Sequence, residues 1–278
     1  MTGRIPASAA KLAAALLAVT AISAIAAGSA GAVETVYTNI PAAFPPNLAS
    51  VGNEAYSNAE IGGQVEFAGT ARKNPMIVVG MSSWACQSGH WNAFNCSTTP
   101  GATFEWPITF NVYEVGAGNT VGALLVSGTK TFKMPYRPSA DLKRCTGPEH
   151  LGEWFSKGQC WHGKAFRIRL GMKLAKLPEK AIVSVVYNTT HHGPSPIGES
   201  AACFSTEQGC FYDSLNVALT EPSEGGATVG SDPTEAVYVN TTDGEETCGA
   251  EGSFGTFAPA TCPSFWEGDQ PTIEVKAG

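Results

Sequence analysis

From Glu34 onward, apolar and polar residues alternate with a period of two, and nearly every periodic stretch is closed by Gly, Pro, Asn or Ser. The alternation predicts strands at Glu34 to Asn39, Gly63 to Thr70, Met76 to Ser82, Thr103 to Val115 and Ala123 to Met134. It predicts five more at Ala165 to Met172, Ala181 to Thr189, Ser214 to Thr220, Ala236 to Asn240 and Thr272 to Lys276. The stretch around Ile182, Val183, Val185 and Val186 is almost continuously apolar, which suits a central strand covered on both faces. Beyond the N-terminal segment no helical period emerges, so the fold class is all-β. Two packed antiparallel sheets, a β-sandwich or jelly-roll-like arrangement with disulfide-braced loops, is the simplest assembly.

Local signals order some of these strands. Gly116-Ala117-Gly118-Asn119-Thr120 is a connection of hairpin length between the fourth and fifth. Lys176-Leu177-Pro178-Glu179-Lys180 is a tight polar turn into the next strand. Pro107 cannot donate to a ladder, which assigns its stretch to an edge or a bulge. Residues 221–233 read as a long loop or linker before a C-terminal hairpin region, 234–278. That remainder is too small to bury a core of its own, so residues 33–278 are expected to form one domain.

The N-terminus departs from the strand pattern and has the three zones of an export signal. Arg4 and Lys11 precede an uncharged apolar run from Leu12 to Ala27, and Ala30-Gly31-Ala32 is a small-residue cleavage site. Residues 1–32 are therefore expected to be a signal peptide and the protein to be secreted, with no membrane partner after cleavage. Residues 33–278 carry 15 basic against 24 acidic residues, a net charge of −9. Nucleic acid is disfavoured as a partner, because counterion release needs clustered cations. The densest basic stretch, Lys164 to Lys180, alternates Arg167 and Arg169 with apolar neighbours and reads as the solvent face of a strand.

Eight cysteines in an exported chain imply a disulfide framework. Sequence leaves the connectivity open, but the neighbours Cys86 and Cys96, Cys145 and Cys160, Cys203 and Cys210, and Cys248 and Cys262 are much closer together than successive pairs. Sequential pairing is expected, each bridge pinning one loop.

The strings GGQVEFAGTARKNP (62–75), MSSWACQSG (81–89), CSTTPGATFEWPITFNVYEVG (96–116), PYRPSAD (135–141), LPEKAIVSVVYNTTHHGPSPIG (177–198), YDSLNVAL (212–219) and VGSDP (229–233) resemble a group of secreted actinobacterial proteins of uncharacterised function. The resemblance spans nearly the whole chain after the leader. It implies export and a single β domain, and transfers no catalytic or binding residue.

Catalytic and metal motifs are weak. Gly198-Glu199-Ser200-Ala201-Ala202 opens like a nucleophile elbow but ends in Ala and lacks the strand-turn-helix setting. Cys86 with His90 and Cys160 with His162 have ligand-like spacing, yet oxidised cysteines supply no thiolate. His191 and His192 are adjacent and would point to opposite sides of an extended segment. Glu66, Glu105, Glu199 and Asp213 read as exposed or turn-capping acids. Asp141, Asp213, Asp232 and Asp243 lie in no calcium loop. No cofactor and no metal are expected.

The aromatic residues carry the functional expectation. Five of the six tryptophans fall between positions 84 and 161, in or beside the first two cysteine loops. Rigid loops bearing aromatics stack on sugar rings, and Trp91, Trp154, Trp161, Tyr136, Arg137 and His191 are the candidate ligand-binding residues. The expected function is a non-catalytic module that binds a polysaccharide or another cell-surface ligand. The alternatives are a structural or protective extracellular protein without a small ligand, in which the tryptophans pack against the disulfides, and a polysaccharide-active enzyme.

Overall fold

A computed structural model describes residues 33–52, 58–187, 215–220, 226–234, 236–241, 254–256 and 269–278. Its strands are β1 (Glu34–Thr38), β2 (Ser50–Gly52), β3 (Asn58–Glu66), β4 (Met76–Ser83), β5 (Thr103–Val115), β6 (Val121–Pro135), β7 (Trp154–Ser156) and β8 (Gln159–Trp161). They continue with β9 (Lys164–Gly171), β10 (Lys180–Val186), β11 (Leu215–Thr220), β12 (Val237–Thr241), β13 (Gly255–Thr256), β14 (Gln270–Pro271) and β15 (Ile273–Ala277). Two single-turn 3-10 helices are the only helices among the described residues. The protein is all-β and its sheets are antiparallel.

One sheet runs β1-β15-β4-β11-β14, with β2 added beside β11 and β9 beside β4. The other runs β13-β12-β3-β10-β5-β6, and β7 with β8 form a separate ribbon. Alternation sends Ile77, Val79 and Met81 of β4 inward to meet Ile108, Phe110 and Val112 of β5 and Val183 and Val185 of β10 in one apolar core. Strand β10 lies between β3 and β5 and is buried from Ala181 to Val185, which accounts for its continuous apolar sequence. On β9, Arg167 and Arg169 are exposed around the buried Ile168.

The β5–β6 hairpin closes over residues 116–120, with Val115 opposite Val121. Strand β10 pairs with β5 only from Thr109 to Glu114, so Pro107 sits where β5 has β6 alone as partner. The turn ahead of Lys180 passes between sheets, from β9 to β10. The two expected C-terminal strands do not pair with each other. Strand β12 joins β3 and β13, while β15 inserts between β1 and β4, where Ile273, Val275 and Ala277 are buried. A hairpin in solvent would leave those three side chains wet, and burial between two strands overrides the local connection.

Strand β4 carries a split edge. Strand β9 covers one side from Met76 to Ser83, and the other side is shared by β15 over Met76–Val79 and β11 over Met81–Ser83. Gly80 marks the junction: its amide donates to the carbonyl of Thr272 at 2.9 Å, and a Cβ there would lie 2.1 Å from Thr272 Oγ1. Only glycine lets the backbones approach so closely.

Candidate functional site

Two loops leave the same end of the sheets, each closed by a disulfide. After β4 the chain turns into a loop closed by Cys86–Cys96, with the amides and carbonyls of Ser88 and Ser97 bonded reciprocally. After β6 the longer segment 136–161 is closed by Cys145–Cys160 and ends in the β7–β8 ribbon. These two bridges follow the sequential pairing. Cys203, Cys210, Cys248, Cys262 and His191 lie outside the described residues.

Arg137 fastens the loops together. The Arg137 amide donates to Ala85 O at 2.9 Å, and its guanidinium donates to Trp91 O at 3.1 Å, to Pro138 O at 3.3 Å and to Gly152 O. The side chain has no exposed surface, so Arg137 cannot touch a ligand and serves as an internal brace. Burial pushes its guanidinium down to about 9 and Glu153 pulls it partly back, which leaves it charged at neutral pH. At Gly152, φ is +76° and a Cβ would meet Trp91 O at 2.1 Å, so the tight approach of the loops depends on glycine.

Around this brace sits an aromatic and ionisable cluster. Trp91 packs edge-on to Trp84 with centroids 4.6 Å apart, and His162 lies against Trp84 and Trp91 at 5.6 and 4.9 Å. Trp84 Nε1 donates to Ser82 Oγ, which bonds Asn47 Oδ1. Glu153, with 11% of its side chain exposed, bonds His150 Nδ1 at 2.6 Å and lies 3.4 Å from His162 Nε2. Burial lowers the His162 pKa; Glu153 opposes that shift, while Arg137 and His150 add to it. His150, Glu153 and Cys160 present potential metal-ligand atoms within 4.8 Å of one another, but Cys160 Sγ is consumed by its disulfide. Two donors remain, too few for a structural transition-metal site.

On the outer side of the same loops lies a groove of about 420 Å³. Tyr136, Trp154 and Phe155 supply its aromatic wall, and Asp141, Arg144 and Lys164 its charges. Tyr136 is half-buried against Phe104, and burial raises its pKa. Trp154 is buried and donates from Nε1 to Gly163 O at 2.8 Å, so it shows the groove little more than an edge. Phe155 is capped by the Arg144 guanidinium, 4.2 Å above the ring. Asp141 accepts the Lys143 and Arg144 amides and the Arg144 side chain, and the Arg144 hydrogen bond holds its carboxyl below the usual range.

Of the candidates read from sequence, Tyr136 and Trp154 meet in this groove. Trp91 packs with Trp84 and His162 by the Arg137 brace. Trp161 stands half-buried on β8 with Nε1 donating to Ser156 O at 3.1 Å. Phe155, Asp141, Arg144 and Lys164 also line the groove, and the sequence marks none of them as a sugar-contacting residue. Their signal in sequence is position alone, inside or beside the Cys145–Cys160 loop. No family model, curated protein or solved structure matches this chain.

Proposed function

We propose that the protein is an exported, non-catalytic binding module that holds a carbohydrate or another cell-surface ligand in the groove beside its disulfide-braced loops, between the segment after Cys96 and the Cys145–Cys160 loop. The observation that carries this reading is the groove itself: about 420 Å³, with half-buried Tyr136 and Phe155 beside charged groups, on loops fixed by two disulfides and a buried arginine. Aromatic faces for sugar rings and polar groups for hydroxyls are what such a ligand requires, and rigid loops lower the entropy cost of binding. The disulfides suit an oxidising compartment, in keeping with the export signal read in residues 1–32 and with the resemblance to secreted actinobacterial proteins. The apolar core shared by both sheets supports a single β-sandwich of jelly-roll type.

A structural or protective role is the second reading, and the packing of Trp84, Trp91 and His162 around Arg137 favours it, because those aromatics stiffen the loops from within. A polysaccharide-active enzyme would need two converging acids. The one carboxylate lining the groove among the described residues is Asp141, and Arg144 holds it.

The test is retention of the oxidised protein on a panel of soluble and insoluble polysaccharides. The reading expects saturable retention on at least one, weakened about tenfold by Tyr136→Ala or Phe155→Ala, as removal of a stacking aromatic should do. No retention on any member would leave the structural reading in its place.

A further inference from the structure

The charged donors left free in the groove are of one kind. Asp141 Oδ1 accepts the amides of Lys143 at 3.1 Å and Arg144 at 3.0 Å, and Oδ2 accepts Arg144 Nε at 2.7 Å and Nη2. Four donors occupy the acceptor sites of this carboxylate, which has little left for a sugar hydroxyl. Trp154 Nε1 is spent on Gly163 O, and Ser139 Oγ bonds the Thr98 backbone. Among the described residues, Lys164 Nζ and Arg144 Nη1 have no partner, so the strongest free donors facing the groove are cations. Lysine usually lies in solvent or opposite an acid, and this chain has 24 acids for 17 basic residues. A half-buried Lys164 without a carboxylate is therefore a specific feature of the groove.

Strand β9 carries the same character beyond the loops. A second groove, of about 310 Å³, lies on the outward face of its sheet, lined by Arg167, Arg169, Lys276 and Glu274. Glu274 accepts from Thr35 Oγ1 at 3.2 Å and pairs with Lys276 at 3.3 Å, while Arg167 lies over Phe44 at 4.2 Å. Arg169 has no side-chain partner among the described residues. Lys164 and Arg169 are five residues apart on one strand, an odd separation that puts them on opposite faces of the sheet, so this second patch is separate from the loop groove.

We propose that the ligand is an acidic glycan, whose acid groups are sugar carboxylates or phosphates. Lys164 and Arg144 bind an acid group in the loop groove beside the ring-stacking Tyr136. This rests on the binding-module reading and narrows it to one ligand class.

The experiment is affinity electrophoresis of the oxidised protein in gels containing polygalacturonate (carboxylate), a phosphomannan (phosphate) or dextran (neutral). The proposal expects retardation by at least one polyanion and none by dextran. The two anionic arms identify the acid. Raising salt should weaken the effect as screening shortens the reach of the cations. Lys164→Gln should weaken binding about tenfold and Lys164→Arg should restore it, as expected for a cation contacting an acid group. Arg169→Gln, at an exposed position on the opposite face of β9, should leave binding unchanged. Equal retardation by dextran, or Lys164→Gln binding like the parent, overturns the acidic-glycan assignment and leaves the module standing. No retardation by any of the three overturns the acidic-glycan assignment too, and retention on the wider neutral panel then decides whether the module reading survives.

Discussion

Arg137 donates from Nη1 to the backbone carbonyl of Trp91 at 3.1 Å, across 46 residues of sequence, from a side chain with no exposed surface. The other arm of the same guanidinium reaches Gly152 O in the second loop. One buried cation thus joins the Cys86–Cys96 loop to the Cys145–Cys160 loop, and the groove that carries Tyr136 and Phe155 takes its shape from that connection.

Replacing the brace should cost more than any surface change. Arg137→Met leaves the Trp91, Pro138 and Gly152 carbonyls without their donor, and a loss of about 3 to 5 kcal/mol is expected for breaking a buried charged network. Arg137→Lys should recover only part, since an ammonium cannot reproduce the planar fork. Urea unfolding of the three proteins measures both effects.

Acid should loosen the same region through His162. Its pKa in the folded protein is lowered, chiefly by burial, with its Nδ1 buried and unbonded among the described residues. As pH falls below the ordinary value of about 6.5, the unfolded chain takes up a proton that the folded chain resists. The stability contributed by neutral His162 is present above that value and is lost as pH falls through the lowered pKa. Glu153, which opposes the shift, and Arg137 and His150, which add to it, are the charged and titratable groups that act on the ring besides burial. Thermal midpoints between about pH 7.5 and pH 5 should fall, and His162→Gln should flatten that fall.

The Cys145–Cys160 bridge closes a loop with a sequence separation of 15. Replacing both cysteines with serine should cost about 3 kcal/mol on the chain-entropy account. It should also weaken ligand binding, because the ribbon bearing Phe155 loses its anchor. Chemical unfolding and a binding assay on the double variant read the two consequences separately.

Gly80→Ala tests the split edge of β4. A methyl group 2.1 Å from Thr272 Oγ1 and 3.3 Å from the Ala218 Cβ forces the strands apart. A destabilisation of about 1 to 3 kcal/mol is expected, as for overpacking in a close-packed interior. Hydrogen exchange should quicken first at the amides of Gly80 and Thr272, which donate across this junction.

These elements differ in how far the sequence announces them. Long strands are legible: β5 spans Thr103–Val115 as its alternation predicts, and β10 declares its two-sided burial by a continuous apolar run. Short strands such as β2, β7, β8, β13 and β14 have two or three residues, too few to show a period. The separation of β12 from β15 is invisible locally, because each sheet recruits its strand through distant neighbours. Arg137 shows the same limit at the level of one residue. Beside Tyr136 in a turn, it has the sequence character of an exposed ligand-reading arginine. Only the convergence of the Trp91 and Gly152 carbonyls, brought together by separate loops, makes burial favourable. Lys164 is the converse, a residue that looks like one of several solvated cations and lies at the wall of the groove.

Intrinsic tryptophan fluorescence of the oxidised protein, titrated with soluble polysaccharides, tests the binding groove most directly, because Trp154 forms part of its wall. The account predicts a saturable change in emission with at least one glycan, shifted to about tenfold higher concentration in Tyr136→Ala. Emission that no glycan alters, from tryptophans already shielded from acrylamide, would contradict it and make the disulfide-closed loops purely structural.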